Sequence, residues 1–268
     1  SKQIPKFLGY VSKSEVIHKD DLVEVEMIKY RNLVGAKARK ACEHKVNTIV
    51  KNKVLNKYAQ LLEKEKKLIL KQNLKDIVYA RKIGLKDNLV SRLLINETKL
   101  KDIQNSIIKI SKLKDPINNT LEKWKRSNGL NISKVSIPIG VIGVIYESRP
   151  NVTSDVASLC FKSGNPVVLK GGSEAINTNR ILAKIFRKAL KVNKVDENFI
   201  QFIDTKQRRV VDIMLSGMKK YIDVIIPREG TNLIKRVQEL SKVPIIGHLE
   251  GLCHTYVDKD ANLKMAKK

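Results

Sequence analysis

Residues 141–170 decide the fold and read VIGVIYESRPNVTSDVASLCFKSGNPVVLK. The apolar run Val141–Tyr146 predicts a strand, a helical pattern follows over Val152–Lys162, and a second apolar strand is predicted at Pro166–Leu169. Apolar strands that are joined by a helix are typical of a parallel sheet covered on both faces. The stretch therefore predicts a β–α–β unit of an α/β fold.

The same alternation continues along the rest of the chain. Helices are predicted over Glu174–Leu190, Gln207–Leu215 and Thr231–Leu240, and strands over Phe199–Ile203, Ile222–Ile226, Ile245–Ile246 and Thr255–Val257. Ligands of such sheets bind in the loops that follow the carboxyl ends of the strands. These candidate loops are Tyr146–Asn151, Lys170–Ser173, Asp204–Lys206 and Pro227–Gly230.

The chain before residue 138 has a different pattern. From about Met27 to Leu113 it is predicted to be helical, because apolar residues such as Val54, Tyr58 and Leu61 recur with helical spacing. Ser127-Asn128-Gly129 separates two short strand patterns, Leu121–Arg126 and Leu130–Ile137, and indicates a hairpin. We therefore expect a separate segment at 1–26, a helical part at 27–117, a hairpin at 118–137 and an α/β cofactor domain at 138–268.

The charge is strongly basic, with 53 Lys and Arg against 27 Asp and Glu, a net of +26. Such an excess is an electrostatic signature of nucleic-acid binding. Aromatic residues, on which single-strand binders stack bases, make up only 5% of the chain. The Lys residues are also scattered over the outward positions of amphipathic helices. We therefore favour a solvated Lys-rich surface without a specific nucleic-acid partner, and keep a Lys-rich RNA-binding module as the alternative.

Cysteine usage and hydropathy indicate the compartment. Cys42, Cys160 and Cys253 make no paired framework, which favours a reducing environment. The longest nearly uncharged apolar run, Ser136–Tyr146, is far shorter than the roughly 20 residues that cross a bilayer. We expect a cytoplasmic protein with no secretory leader and no membrane partner.

Two of the candidate loops combine a cation with glycine. Lys170 follows a strand and precedes Gly171-Gly172-Ser173, and Arg228 precedes Glu229-Gly230. A cation beside the free N–H groups of a starting helix suits a ribose phosphate. The chain has neither a G-x-G-x-x-G pattern nor a P-loop, so an ordinary glycine-rich turn at Lys170 remains equally open.

Two other segments carry reactive residue types. Arg149 could hold a carboxylate or phosphate in forked geometry, although a surface pair with Glu147 is the commoner situation. His248, Cys253 and His254 lie close in sequence but match no metal-binding spacing, so no metal is expected. We favour a buried structural role for Cys253 over the alternative of a nucleophile beside His254, because neighbouring residues of a strand point to opposite faces.

Residues 137–180, together with IIPREG at 225–230 and HLEGLCHTYVD at 248–258, resemble the gamma-glutamyl phosphate reductase (glutamate-5-semialdehyde dehydrogenase) family. The resemblance covers roughly residue 27 to the end. It implies an aldehyde dehydrogenase-like fold with a helical N-terminal segment and a Rossmann-like cofactor domain. It also implies NADPH-dependent reduction of L-glutamyl 5-phosphate, through a cysteine thioester, to L-glutamate 5-semialdehyde and phosphate in proline biosynthesis.

The resemblance also implies site residues. Cofactor contacts are expected from Tyr146, Lys170, Gly171, Ser173, Pro227, Arg228 and Gly230, and substrate contacts from Glu147, Arg149 and Asn151. Ser173 stands where many NAD-preferring relatives carry Glu, which favours NADP because a carboxylate would repel the 2′-phosphate. Glu229 replaces a family glycine and puts a negative charge near the expected pyrophosphate turn. The hairpin is implied to pair subunits of a homo-oligomer.

The resemblance finally implies that the native protein is longer. The family's nucleophilic Cys lies downstream of the segment at 248–258, so we expect it beyond Lys268 and assign no catalytic residue here. We expect a chain truncated before its catalytic domain, which binds cofactor at best. Residues 1–26 resemble the C-terminal tail of glutamate 5-kinase. That likeness implies a kinase–reductase fusion like pyrroline-5-carboxylate synthase, or adjoining reading frames read through.

Overall fold

The computed structural model of the chain describes residues 34–228, 231–247 and 255–267. The predictions for residues 1–26, for Glu229 and Gly230, and for the segment His248–His254 lie outside these ranges.

Helices fill the described chain before the hairpin, as the periodicity predicts. They are α1 (Ala36–Ala41), α2 (Thr48–Lys64), α3 (Lys66–Lys82), α4 (Asp87–Leu93) and α5 (Glu97–Lys112). The starts of α2 and α5 are fixed by asparagine caps, since Asn47 accepts from the Val50 N–H and Asn96 from the Lys99 N–H. The turn after α3 needs Gly84, whose φ of 71° is unfavourable for other residues.

The predicted hairpin is confirmed. Strands β1 (Thr120–Lys125) and β2 (Asn131–Val135) pair antiparallel, and Gly129 takes the positive φ, 89°, that the turn requires. Every residue of β1 is exposed. A two-stranded sheet with so little burial has few contacts to stabilise it alone.

Four parallel strands form the predicted α/β sheet: β3 (Ile142–Tyr146), β4 (Val167–Lys170), β5 (Ile200–Phe202) and β6 (Val224–Arg228). Helix α6 (Pro150–Lys162) joins β3 to β4, and α7 (Ile176–Val192) joins β4 to β5. Helix α8 (Arg209–Asp212), continued by a π-helical turn, precedes β6, and α9 (Thr231–Leu240) and α10 (Leu263–Ala266) follow it. The strand order is β5-β4-β3-β6, so the connection reverses direction between β3 and β6. Ligands of open α/β sheets bind at such a reversal.

The last two predicted strands are not formed as expected. Ile245 makes an isolated parallel bridge with Ile225 and does not belong to a strand. The prediction of a strand at Thr255–Val257 is wrong, since these residues have no regular structure and Tyr256 is 85% exposed. A strand needs a partner for its backbone groups, and within the described chain no strand pairs with Thr255–Val257.

Strand β3 contributes to a core on each face of the sheet, which explains its unbroken apolar sequence. Ile142, Val144 and Tyr146 face a cluster shared with the helical part, and Val141 and Ile145 face a second cluster. The described helical part and the α/β part therefore share one core, while the four-part division of the chain stays a prediction. Among the described residues, no helix is both long and apolar enough to cross a bilayer.

Aromatic packing joins α2 to the α/β part. The Tyr58 ring lies 4.4 Å from the Phe186 ring, and Phe161 contacts both Phe186 and Phe199 edge to face, at 5.9 and 5.5 Å. The Tyr58 hydroxyl is 2.7 Å from Ser154 Oγ on α6. Burial of this kind fixes the helical part against the sheet.

A buried ion pair anchors the base of the hairpin. Lys51 Nζ lies 3.0 Å from Asp115 Oδ2, and both side chains are largely buried. Asp115 also accepts from Thr48 Oγ1 at 2.7 Å and from the Ile117 N–H at 3.1 Å. Burial acts to raise the pKa of Asp115, but these hydrogen bonds and the Lys51 charge outweigh it and hold the pKa below its ordinary value of 3.8.

Thr48→Val is expected to lower the free energy of unfolding at neutral pH by about 1 kcal/mol, because it removes a hydrogen bond to a carboxylate. A depressed carboxyl pKa stabilises the fold above the ordinary pKa and ceases to do so as the pH falls through the folded value. The difference between wild type and variant should therefore shrink as the pH falls below about 4. Urea unfolding from pH 3 to 7 measures this, and a difference independent of pH would contradict it.

Candidate functional site

The predicted loops meet at the carboxyl edge of the sheet. In the parallel register Ile145 pairs with Lys170 of β4, and Tyr146 pairs with Arg228 of β6. The Glu147 N–H donates to the Arg228 carbonyl at 3.2 Å, which connects the loops across the reversal point. The structure thus brings the loops after β3, β4 and β6 together, as the strand pattern predicts.

Lys170 ends β4 and is almost completely buried, with 5% of its surface exposed. Its Nζ donates to the Gly171 carbonyl at 2.8 Å, so the ammonium folds back over the turn that follows the strand. A buried cation at the start of a glycine turn can attract an anionic group that approaches the turn.

The two glycines of this turn are required by close packing. A Cβ on Gly171 would lie 2.4 Å from Asn179 Nδ2 and 3.0 Å from the Tyr146 ring. A Cβ on Gly172 would lie 2.1 Å from Ser148 Oγ. The turn is therefore packed closely against the residues beneath and beside it, and a side chain at either position would force the turn to shift.

The Tyr146 side chain lies in the core and has no exposed surface. Its hydroxyl is 2.7 Å from Thr153 Oγ1, which donates to Asn179 Oδ1 at 2.9 Å. Burial raises the pKa of Tyr146, so the phenol stays protonated. The expectation that this side chain contacts the cofactor is therefore corrected. Tyr146 packs beneath Gly171 and supports the turn.

The expectation of free N–H groups at the start of α7 is wrong. The Asn177 and Thr178 N–H groups donate to the carboxylate of Asp76 at 3.2 and 2.8 Å. Asn177 Nδ2 and Thr178 Oγ1 donate to the same carboxylate at 2.8 and 2.6 Å. Asp76 is 1% exposed and belongs to α3. An internal carboxylate therefore occupies the position at which a phosphate would otherwise bind this helix.

One sequence signal could have revealed this cap. Asn73 and Asp76 lie on the same helix face as the buried Ile69, Ile77 and Ala80. Polar residues on an otherwise apolar face must find partners inside the protein. Asn73 binds the backbone of Leu93 and Ile95, 20 and 22 residues away. Asn73 also binds Thr178, 105 residues away, and Asp76 binds Asn177 and Thr178, 101 and 102 residues away. None of these partners could be read from the spacing.

Sequence reasoning also missed Glu174. Its carboxylate accepts from Ser148 Oγ in the loop after β3, and from Ser173 Oγ at 2.9 Å in the turn after β4. Burial acts to raise the pKa of Glu174, but these hydrogen bonds and the nearby Arg208 charge hold it below its ordinary value. Ser173 thus places no carboxylate at its own position, but the neighbouring Glu174 places one in the same turn.

The loop after β3 carries an exposed ion cluster. Arg149 Nε lies 2.8 Å from Glu147 Oε1, and Arg92 Nη1 of α4 lies 3.9 Å from Glu147 Oε2. The local pair of Arg149 with Glu147, which the sequence left open, is thus formed. Asn151 Nδ2 donates along α6 to Asp155 at 3.2 Å. Arg92 is a member of this cluster that sequence reasoning missed.

The end of β6 also lies at the carboxyl edge of the sheet. Pro227 lies beside Gly247, where an added Cβ would be 3.1 Å from Pro227 Cγ, and Arg228 is exposed. Among the described residues, the charged groups at this edge include Lys170, Arg92, Arg149, Arg208 and Arg228, together with Glu147 and Glu174. Cations outnumber carboxylates there, so the edge suits an anionic ligand.

No thiol of the described residues lies among these groups. Cys160 is buried in α6, and burial raises its pKa to about 12. Burial also raises the pKa of Cys42, which follows α1. The described residues contain no group of His, Cys, Asp and Glu that could hold a metal ion.

The curated proteins most similar to the chain share one description. The chain is 45% identical over 244 residues to the gamma-glutamyl phosphate reductase of Clostridium tetani, covering 90% of this chain and 57% of the relative. It is 47% identical over 213 residues to that of Aliarcobacter butzleri, covering 80% and 52%. The chain therefore spans little more than half the length of these relatives. No family model matches it.

Solved structures agree with this likeness. Gamma-glutamyl phosphate reductase from Thermotoga maritima has a TM-score of 0.81 at 38% identity, covering 87% of this chain and 56% of that one. The protein of the same name from Saccharomyces cerevisiae gives 0.74 at 32% identity, covering 88% and 60%. An acetylating aldehyde dehydrogenase from Geobacillus thermoglucosidasius shares the fold at 15% identity, with a TM-score of 0.59 over 83% of this chain and 46% of that one. The resemblance and the aldehyde dehydrogenase-like α/β fold that the sequence predicts are both confirmed.

Proposed function

Because the chain is a homologue of the gamma-glutamyl phosphate reductases, we propose that it supplies the cofactor-binding part of such an enzyme. The reaction is reduction of L-glutamyl 5-phosphate to L-glutamate 5-semialdehyde, with release of phosphate, in proline biosynthesis. The cofactor is a nicotinamide dinucleotide, NADPH by family resemblance, which supplies the hydride.

The observation that carries the proposal is the glycine turn beside a buried cation at the carboxyl end of β4, the strand next to β3, where the sheet order reverses. Gly171 and Gly172 leave no room for a side chain, and the Lys170 ammonium lies against the same turn. The Asn179 amide nitrogen, completely buried under Gly171, has no hydrogen-bond partner. A closely packed glycine turn that follows a parallel strand and lies next to a cation fits the adenosine half of a dinucleotide.

We assign the individual contacts as the family resemblance implies. Lys170, Gly171 and Ser173 hold the adenosine ribose, Pro227, Arg228 and Gly230 lie near the pyrophosphate, and Glu147, Arg149 and Asn151 line the nicotinamide and substrate end. The cation excess at this edge suits both the dinucleotide and an acyl phosphate. Tyr146 acts from beneath, by fixing the position of Gly171.

The nucleophile of the thioester step is not assigned to a described residue. Cys160 is kept protonated by burial at neutral pH, and a thiol reacts only as the thiolate. We keep the proposal that sequence beyond Lys268 supplies the reactive cysteine. The Lys-rich RNA-binding alternative gains no support from the relatives, which are described as reductases.

The hairpin suits subunit pairing in a homo-oligomer. Its exposed apolar residues are Leu121, Trp124, Leu130, Val135 and Ile137. A two-stranded sheet with such residues on its surface gains contacts when a second subunit covers it.

Lys170→Met is expected to weaken NADPH binding about tenfold or more, because it removes a charge that contacts phosphate and keeps most of the aliphatic side chain. Quenching of protein fluorescence or enhancement of NADPH fluorescence measures the dissociation constant. Lys188→Met, on α7 and paired with Glu65, is the matched control and should bind as wild type does.

Two results would contradict the proposed function. One is a chain that is folded by circular dichroism and binds neither NADPH nor NADH. The other is a Lys170→Met protein whose affinity equals that of wild type. Steeply salt-dependent RNA binding in the first case would favour the RNA-binding alternative.

A further inference from the structure

We propose that Glu174 is a specificity-determining residue of this site, whose carboxylate lowers the affinity for NADPH relative to NADH. The proposal rests on the proposed function, since it requires the adenosine ribose to lie at Ser173. It names a residue that neither the sequence pattern nor the assigned contacts include.

The first support is the distance between Glu174 and the ribose contact. Glu174 Oε1 accepts from Ser173 Oγ at 2.9 Å. A serine hydroxyl has one proton, so in this arrangement Ser173 cannot donate it to a 2′-phosphate. A ribose 2′-hydroxyl, by contrast, can donate to the Ser173 oxygen or to the carboxylate itself.

The second support is that the carboxylate is fixed in this place from two loops. Ser148 Oγ, in the loop after β3, donates to Glu174 Oε2, while Ser173 belongs to the turn after β4. Glu174 Oε2 also lies 3.0 Å from the position of a Cβ on Gly172, so the carboxylate packs against the bare turn. Rotation of Glu174 away from the turn would break both hydrogen bonds.

The third support is the charge of Glu174. Its pKa lies below the ordinary value, because the hydrogen bonds from Ser148 and Ser173 and the Arg208 charge outweigh the effect of burial. The group is therefore ionised at neutral pH. A carboxylate and a phosphate a few ångströms apart at a half-exposed site repel each other enough to change affinity about three- to tenfold.

Cations oppose this repulsion. Arg208 lies near the Glu174 carboxylate, and the Lys170 ammonium contacts the Gly171 carbonyl of the same turn, so both cations attract a 2′-phosphate bound there. The ratio of the affinities for NADPH and NADH thus depends on both the cations and the carboxylate. Glu174 shifts this ratio toward NADH, and NADPH can still bind more tightly. Removal of the Glu174 charge should shift the ratio toward NADPH.

Glu174→Gln is the test, because glutamine is nearly isosteric and keeps an oxygen that can accept from one of the two serines. Dissociation constants are measured for NADPH and NADH, and for adenosine 2′,5′-bisphosphate and 5′-AMP, which differ only in the 2′-phosphate. In each pair the ratio should move about three- to tenfold in favour of the 2′-phosphorylated ligand. Glu197→Gln, which removes a carboxylate paired with Arg187 just before β5, should leave both ratios unchanged.

The outcomes separate this proposal from the proposed function. Folded wild type that binds none of the four ligands would overturn both. Wild type that binds them, with unchanged ratios in Glu174→Gln, would overturn the role of Glu174 alone. If Glu174→Gln does not fold, Ser148→Ala tests the same point. Ser148→Ala removes one of the two hydrogen bonds that hold the carboxylate against the turn. The affinity ratios should then shift in the same direction as in Glu174→Gln, but by less. No shift, or a shift in the opposite direction, would overturn the role of Glu174.

Discussion

Asp76→Ala is expected to lower the free energy of unfolding by about 3 kcal/mol or more. The variant leaves the buried donors of Thr178 and the partly buried donors of Asn177 without this partner at the start of α7. Each buried donor that loses its partner costs about 1–3 kcal/mol. The loss of the cap and of its charge at the helix N-terminus acts in the same direction.

Thermal or urea unfolding followed by circular dichroism measures this effect. The midpoint of thermal unfolding should fall by about 6–12 °C for a chain of this size. Asp102→Ala, at an exposed position of α5, is the matched control and should change stability little. Equal stability of the two variants would show that the Asp76 contacts do not hold α7.

Asp76→Asn separates the charge of the cap from its shape. An asparagine in the same place keeps one acceptor but turns an NH2 group toward donors, so only part of the loss should be recovered. Stability between those of wild type and Asp76→Ala is expected. A fully stable Asp76→Asn protein would mean that one acceptor is sufficient.

Gly171→Ala is expected to abolish detectable cofactor binding and to lower the free energy of unfolding by about 1–3 kcal/mol. Its methyl group would lie 2.4 Å from Asn179 Nδ2 and 3.0 Å from the Tyr146 ring, both of which are completely buried. Neither neighbour can move into solvent, so the turn itself must shift. A shifted turn moves Lys170 and Ser173 with it.

The control for Gly171→Ala is Gly84→Ala, which strains the backbone without touching the site. Gly84 has a φ of 71°, and an added Cβ would have no atom within 4 Å. This variant should lose about 1 kcal/mol of stability and bind NADPH as wild type does. Unimpaired NADPH binding by Gly171→Ala would contradict the assignment of the turn to the cofactor.

Much of the fold follows from local pattern. The strand at Ile142–Tyr146 can be predicted from the sequence because both faces of a central parallel strand are buried, which requires an unbroken apolar run. The hairpin can be predicted from the sequence because its short Asn-Gly turn requires a positive φ, which Gly129 adopts easily. Thr255–Val257 shows the limit of such reasoning, since a strand-like composition forms no strand without a partner.

The order of strands and helices follows from the residue pattern alone, and with it the loops that converge at the carboxyl edge of the sheet. Which groups are available there depends on contacts between elements that are distant along the chain. The tertiary structure caps α7 with Asp76, buries Tyr146 beneath Gly171, and sets the Glu174 carboxylate between Ser148 and Ser173. The physical reason is that local periodicity indicates whether a side chain is buried, but not which group it binds. The hydrogen-bond partner lies on another element. Ser148 binds Glu174, 26 residues away, and Asp76 binds Thr178, 102 residues away.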